Sequence, residues 1–279
     1  MRQNSQLPNR DKGPRIALVL SGGGARGYAH IGVLEALVDA GITFTEIAGC
    51  SMGAIVGAHF AQFVDVKKLD HDAARISREN PFPIKDIIRR KAGIVSGEHA
   101  MTILTDIFGS IRFQDLKIPL SINAYDLHNS KEIVFRSGPV IDALRCSMSI
   151  PVFFDPIIKG DQIIVDGGVH NNFPFSLLDP DAYDYIIGVN VNQYIHPTTP
   201  DKLGFLNMIA LTQHTIIRQL THPQREKFKA MPNSILIEPD LGKYTAYQFK
   251  TYNEIRDIGY KTAQKSIPQI QNMIQGEGN

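Results

Sequence analysis

Tryptophan is absent from the 279 residues, and cysteine occurs only twice, as Cys50 and Cys146. Two cysteines cannot build the disulfide framework of a small secreted domain, and a bridge at Cys50 would distort the glycine-flanked turn that holds it. Charge imbalance is also missing: 29 Lys and Arg stand against 28 Asp and Glu, a net charge of +1. Such a balance gives no global attraction to nucleic acid or anionic lipid, so nucleic acid is not an expected partner and any membrane contact must be local. No apolar run reaches membrane-spanning length, and the first dozen residues, Met1 to Lys12, are polar and lack the apolar stretch of a secretory signal. The expectation is a soluble, cytoplasmic protein, at most peripheral to the inner membrane face. No Cys, His and carboxylate cluster has metal-site spacing, no cofactor is expected, and no internal repeat is visible.

What the chain does have is 43% hydrophobic residues and 23 glycines. That apolar content suits one large α/β domain, expected over residues 14–275, with a flexible segment at 1–13 and a frayed end at 276–279. The glycines are not scattered evenly. Gly49-Cys50-Ser51-Met52-Gly53 fits G-x-S-x-G, in which a strand turns sharply into a helix and leaves a serine hydroxyl at the bend. Gly49 and Gly53 are needed because a Cβ at either would clash where strand and helix pack. The flanks agree, since Thr45 to Ala48 reads as a strand and Ala54 to Phe60 as a helix of small residues.

Upstream, Arg15 to Leu20 is an almost continuous apolar run, as expected of a strand buried on both faces. Gly22, Gly23, Gly24, Ala25, Arg26 and Gly27 follow at once, and then Tyr28, Ile31, Leu34, Leu37 and Val38 recur at helical spacing. A strand, glycine loop and helix in this order turn backbone N–H groups and a helix N-terminus toward one point, which favours negative charge there. Gly22, Gly24 and Gly27 also satisfy G-x-G-x-x-G, the dinucleotide fingerprint. That reading requires an acidic residue at the end of the next strand. Here that strand ends in the serine pentad, and Glu46 opens it rather than closing it.

Gln162 to Val165 is strand-like, so Asp166 of Asp166-Gly167-Gly168 stands where a strand leaves the sheet, a usual place for sites in open α/β folds. A serine nucleophile needs a base within hydrogen-bond reach and donors where the oxyanion forms. Asp166 can be that base. A Ser, acid, His order would make His170, His196, His214 and His222 eligible instead, but the α/β-hydrolase fold that uses it places several strands before its serine turn, and only one convincing strand precedes Ser51. His170 is expected to hydrogen-bond to the Asp166 loop. Arg26 either anchors the glycine loop or meets a lipid phosphate, or else forms a surface salt bridge at a helix start.

The glycine loop, the serine pentad and Asp166-Gly167-Gly168, in this order and at these separations, resemble the patatin-like phospholipases. Gly53-Ala54-Ile55-Val56-Gly57-Ala58, Ser147-Met148-Ser149-Ile150-Pro151 and Asp166 to Pro174 look like further blocks of the same pattern, so the resemblance covers roughly residues 14 to 192. It departs before Pro151, where alanines are usual in the family and this chain has Cys146, Ser147 and Ser149. The resemblance implies a three-layer α/β/α sandwich with a mostly parallel sheet, and a serine acyl hydrolase of lipid esters, of phospholipase A or lysophospholipase type. It further implies Ser51 as nucleophile, Asp166 as base without a histidine, and the loop Gly22 to Gly27 as oxyanion hole.

Further along, Val66 to Glu79 reads as a helix, Pro119 to Ala124 and Lys131 to Phe135 as paired strands joined at His128-Asn129-Ser130, and Leu203 to Leu220 as a helix. Tyr185 to Val191 and Ser234 to Pro239 complete the strands. Phe82, Ile84, Ile87 and Ile88 beside Lys85, Arg89, Arg90 and Lys91 form the best candidate for a membrane contact, although such a stripe more often packs on its own core. A lipid or other acyl ester is the expected partner, and homo-oligomerisation remains open. A soluble esterase or thioesterase would use the same residues, and a non-catalytic adaptor for acylated ligands would keep the fold but not need them.

Overall fold

β1 (Ile16–Leu20) is buried along its whole length. Its alternate side chains feed two different cores: Ile16, Leu18 and Leu20 join the larger one, while Ala17 and Val19 join the smaller. A strand buried on both faces needs helices on both sides, which makes three layers. The computed structural model describes residues 13–79, 97–193 and 205–275. The N-terminal segment, the last four residues, the basic and apolar stretch at 81–91 and His196 lie outside them.

α1 (Tyr28–Asp39) follows β1, and α2 (Met52–Phe63) follows β2 (Glu46–Gly49). α3 (Val66–Glu79) and α4 (Glu98–Phe108) pack on the same side. A hairpin of β3 (Leu120–Asp126) and β4 (Lys131–Phe135) leads to α5 (Val140–Ser147). β5 (Ile157–Lys159) and β6 (Gln162–Asp166) form a second hairpin. After β7 (Tyr185–Val189), α6 (Phe205–Lys229) crosses the opposite face, where Phe228 packs with Phe173. β8 (Ser234–Ile237) and α7 (Tyr252–Gln275) close the described chain.

The eight strands among the described residues form one sheet in the order β5-β6-β3-β2-β1-β7-β8, with β4 paired to β3. β3, β2, β1, β7 and β8 run parallel, and the two hairpins contribute the antiparallel pairs. The α/β sandwich read from the sequence is therefore present, with a mixed and mostly parallel sheet.

β3 carries three partners, and its register explains how the site is made. Ile122 pairs with both Gly49 of β2 and Phe135 of β4, so β2 and β4 must occupy opposite edges of β3. Ala124 pairs with both Ile133 of β4 and Asp166 of β6, so β6 shares the edge used by β2. β2 runs parallel to β3 and β6 runs antiparallel to it. The two strands consequently meet end to end. Their last residues, Gly49 and Asp166, face positions two apart on β3, about 7 Å along the strand.

Candidate active site

Between β2 and α2 the chain reverses at Ser51, whose φ of 52° and ψ of −123° lie outside the regions an ordinary side chain prefers. The reversal is held by crowding. A Cβ on Gly49 would stand 2.7 Å from the Gly53 carbonyl oxygen, and one on Gly53 would stand 2.4 Å from the Leu20 carbonyl oxygen. Ser51 thus sits at the N-terminus of α2, where the helix dipole favours negative charge.

Asp166 ends β6 opposite this turn, and the Ser51 side chain lies close enough for its hydroxyl to favour the ionised carboxylate. Asp166 Oδ1 also accepts from the Gly168 N–H at 2.7 Å and from the Cys50 thiol at 3.6 Å. Burial pushes the Asp166 carboxyl up to about 6, and these three donors hold it from rising further. No histidine hydrogen-bonds to Ser51 or Asp166 among the described residues. The His170 ring instead stacks on Tyr125 at 5.0 Å, and only its backbone N–H reaches the loop, donating to the Gly167 carbonyl at 3.0 Å. His214 faces Arg26.

One short segment fixes both groups. The Ser51 N–H donates to Ser147 Oγ at 2.8 Å, and the Asp166 N–H donates to the Ser149 carbonyl at 2.9 Å. In the sequence Ser147 and Ser149 stand out only as small residues before Pro151. Their hydrogen-bonding task depends on β6 and α2 converging there, which no local pattern reveals. Asn123 was also invisible as a site residue. Its Nδ2 donates to the Asn171 carbonyl at 2.8 Å and to Glu132 at 3.0 Å, and its side chain lies where a Cβ on Gly167 would fall.

The glycine loop passes over the turn. A Cβ on Gly22 would lie 3.2 Å from Ser51 Cβ, and one on Gly27 would lie 2.2 Å from Met52 Cγ. Not all six residues of the loop offer a free donor. The Gly22 N–H donates to the Asn172 carbonyl at 3.0 Å, the Ala25 N–H to Ala246 at 2.8 Å and the Arg26 N–H to Gly23 at 3.2 Å. The N–H groups of Gly23 and Gly24, at the apex of the loop, have no acceptor among the described residues. Both positions demand glycine: a Cβ would approach Val191 at Gly23 and the Ala246 carbonyl at Gly24, each to 2.4 Å, and Gly24 has a φ of +55°.

Arg26 is not a surface salt bridge. It is buried, its Nη1 donates to His214 Nε2, and its Nε has no partner. Burial lowers its pKa to about 10 and that of His214 to about 3, the Arg26 and Arg218 charges also lowering the latter, so at pH 7 a charged guanidinium faces a neutral imidazole. Cys50 and Cys146 are buried, free thiols. No group of His, Cys, Asp and Glu that could hold a metal ion occurs among the described residues.

The profile of the patatin-like phospholipase family matches residues 18–179, which include the glycine loop, the Ser51 turn and Asp166. An NTE family protein of Mycobacterium tuberculosis is 28% identical over 282 residues, covering 94% of this chain and 48% of the relative. The neuropathy target esterase of Drosophila melanogaster is 28% identical over 287 residues (92% and 20%), and the lysophospholipase nte1 of Neurospora crassa is 26% identical over 289 residues (95% and 19%). The chain spans about half the length of the first of these relatives and a fifth of the others. Among solved structures, VipD of Legionella pneumophila superposes with a TM-score of 0.55 at 14% identity, covering 94% of this chain and 67% of that one. Human GIVD cytosolic phospholipase A2 gives 0.53 at 13% identity (97% and 60%). These two likenesses concern the fold. On the match of more than half its length, the chain belongs to the patatin-like phospholipase family.

Proposed function

We propose that the protein is a serine acyl hydrolase acting on acyl esters of lipids, with Ser51 as nucleophile, Asp166 as base and the N–H groups of Gly23 and Gly24 as the oxyanion hole. The observation that carries this reading is the end-to-end meeting of β2 and β6, which sets a buried carboxylate with only neutral hydrogen-bond donors against a serine held at positive φ. The family and the lysophospholipase and esterase names of two relatives support a lipid ester as the substrate class.

In this mechanism Ser51 Oγ attacks the ester carbon while its proton passes to Asp166. The carbonyl oxygen becomes an oxyanion and meets the Gly23 and Gly24 N–H groups. Collapse expels the alcohol, which takes the proton from Asp166 and leaves an acyl group on Ser51. Water then attacks that ester, again giving its proton to Asp166, and the acid departs as Ser51 is reprotonated. A carboxyl with a pKa of about 6 suits both directions, being mostly ionised at pH 7 yet more basic than an exposed aspartate.

The test is hydrolysis of a short-chain nitrophenyl ester by the parent and by Ser51→Ala. A loss of about three orders of magnitude or more with unchanged circular dichroism is expected. Near-parental turnover in the variant would remove Ser51 from the chemistry.

A further inference from the structure

Glu132 stands near the start of β4, half-buried and paired with Tyr125 of β3. Alternation of side chains puts Asn123 on the same face of β3 as Tyr125, one diagonal step from Glu132. The carboxylate reaches across that step: Glu132 Oε1 accepts from Asn123 Nδ2 at 3.0 Å and from Asn171 Nδ2 at 2.8 Å. Both asparagines are buried, and no Lys, Arg or His among the described residues forms an ion pair with the carboxylate. From the two amides the connections run to both halves of the candidate site. Asn123 Nδ2 also donates to the Asn171 carbonyl at 2.8 Å, and the Asn171 N–H donates to the Gly167 carbonyl at 2.8 Å. A Cβ on Gly167 would stand 2.6 Å from Asn123 Cγ, so the Asp166-Gly167-Gly168 bend lies directly on the Asn123 amide. The next residue, Asn172, accepts the Gly22 N–H through its carbonyl at 3.0 Å. Its Oδ1 lies between the two loops, 2.4 Å from where a Cβ on Gly22 would fall and 2.8 Å from one on Gly168. Asn171 has one further hold, since its Nδ2 donates to Ser176 Oγ at 3.0 Å. Burial, then Asp166, then Glu132 raise the Cys50 thiol, so the Glu132 charge is felt inside the site.

We propose that Glu132 is a positioning residue for the reaction: through Asn123, Asn171 and the backbone of residues 171 and 172 it holds the Asp166 bend and the glycine loop in one fixed relation. The link to turnover rests on the acyl-hydrolase reading. The bend ends β6 and the glycine loop follows β1, and these two strands do not pair with each other. No ladder of backbone hydrogen bonds therefore sets the distance from base to oxyanion donors, and the Asn171-Asn172 connection spans it instead. An ionised acceptor suits the task, because its hydrogen bonds are stronger than those of a neutral one, and a single oxygen taking two N–H groups aligns both amides. A shift of about 1 Å between base and donors costs on the order of 10² in rate. Glu132 makes no contact with Ser51 or with the glycine loop itself, so its loss acts on the reacting geometry and falls on kcat rather than KM.

Glu132→Met and Glu132→Gln test this on a short-chain nitrophenyl ester, each protein being assayed well below its melting temperature. Methionine keeps nearly the same shape but offers only a weakly accepting sulfur, and Glu132→Met should lower kcat about a hundredfold with KM within about threefold. In Glu132→Gln the Oε1 can still accept from both amides, and kcat should recover to within about tenfold of the parent. Amide hydrogen exchange gives a readout independent of turnover. Glu132→Met should quicken exchange at Gly22 and Asn171 by about tenfold or more and leave β1 and β7 at parental rates. A Glu132→Met protein within about threefold of the parental kcat, or a loss confined to KM, would overturn the proposal. So would a Glu132→Gln protein no more active than Glu132→Met, or unchanged exchange at Gly22 and Asn171. Quickened exchange in Glu132→Met, with a parent that hydrolyses no ester, would overturn the hydrolase reading and leave the hold of Glu132 on both loops standing.

Discussion

Asp166 lies deep at the end of β6 while the Asp72 carboxylate sits nearer the surface beside the exposed Lys68 and His71, and their acidities move in opposite directions. At Asp72 burial raises the pKa, but hydrogen bonds from His59, Lys68 and His71 outweigh it and bring the carboxyl down to about 2. Asp166 receives a serine hydroxyl, a backbone N–H and a thiol, all neutral, and burial prevails, leaving it at about 6. Depth and partners together decide what a carboxylate does. Asp72 is tied into a structural cluster with Lys68 Nζ at 3.0 Å, whereas the more deeply buried Asp166, with neutral partners, keeps its affinity for a proton.

The largest expected effect comes from removing the ionisable group at Asp166. Asp166→Asn should lower ester hydrolysis by about a thousandfold or more while making the protein more stable at pH 7. The folded pKa of about 6 exceeds the unfolded value near 4, so the fold prefers the protonated acid, and stability is lost as pH rises through that window. Chemical denaturation should show a gain of up to about 3 kcal/mol for the variant at pH 7, shrinking toward nothing at pH 4. A variant less stable than the parent at pH 7 would mean that Asp166 is compensated by charge after all, as Asp72 is.

Gly23→Val and Gly24→Val separate the base from the oxyanion donors. Each should cost about 10²–10³ in kcat, because the added side chain displaces an N–H from the oxyanion position. The acid limb of the pH–rate profile should stay near 6, since Asp166 is untouched. Full activity in both variants would place the oxyanion donors elsewhere.

Asp72→Asn should act in the opposite sense to Asp166→Asn, lowering stability at pH 7 by about 1–3 kcal/mol as the hydrogen bonds to a charged partner are weakened. Because the folded pKa of Asp72 is depressed, its contribution is present above pH 4 and lost as pH falls toward 2. Melting curves of parent and variant should converge over that range. The smallest effect is expected at Cys50. Cys50→Ala removes one donor to Asp166 and should move the acid limb upward by a few tenths of a pH unit, with Cys50→Ser restoring it. A limb that does not move would make the thiol a packing group only.

Much of this comparison could be read in the sequence on one side and little on the other. The Ser51 turn was legible because close approach of strand and helix leaves glycine as the residue that fits at 49 and 53, a constraint written within five residues. Asp166 was legible as a strand-end carboxylate. The hairpin β3–β4 and the strands β1, β2, β6, β7 and β8 follow from apolar runs and turn residues, and lie within a residue or two of their expected limits. β5 was not read, as its three residues are mostly exposed and carry no alternation. α6 runs nine residues past its expected end and through Pro223, packing Phe228 against Phe173. The clamp by Ser147 and Ser149, the capture of the Ala25 N–H by Ala246 and the burial of Arg26 under His214 join residues far apart in the chain. The clamp follows from the meeting of β2 and β6 on β3, and the other two from α6 and the loop after β8 folding back onto the glycine loop, none of which a local window contains.

The most direct measurement of the central claim is the pH dependence of labelling by a small fluorophosphonate, with the modified residue mapped by peptide mass spectrometry. The account predicts modification at Ser51, with a rate that rises through a single acid limb near pH 6 and is lost in Asp166→Asn. Labelling at another residue, or at Ser51 with undiminished rate in Asp166→Asn, would contradict it.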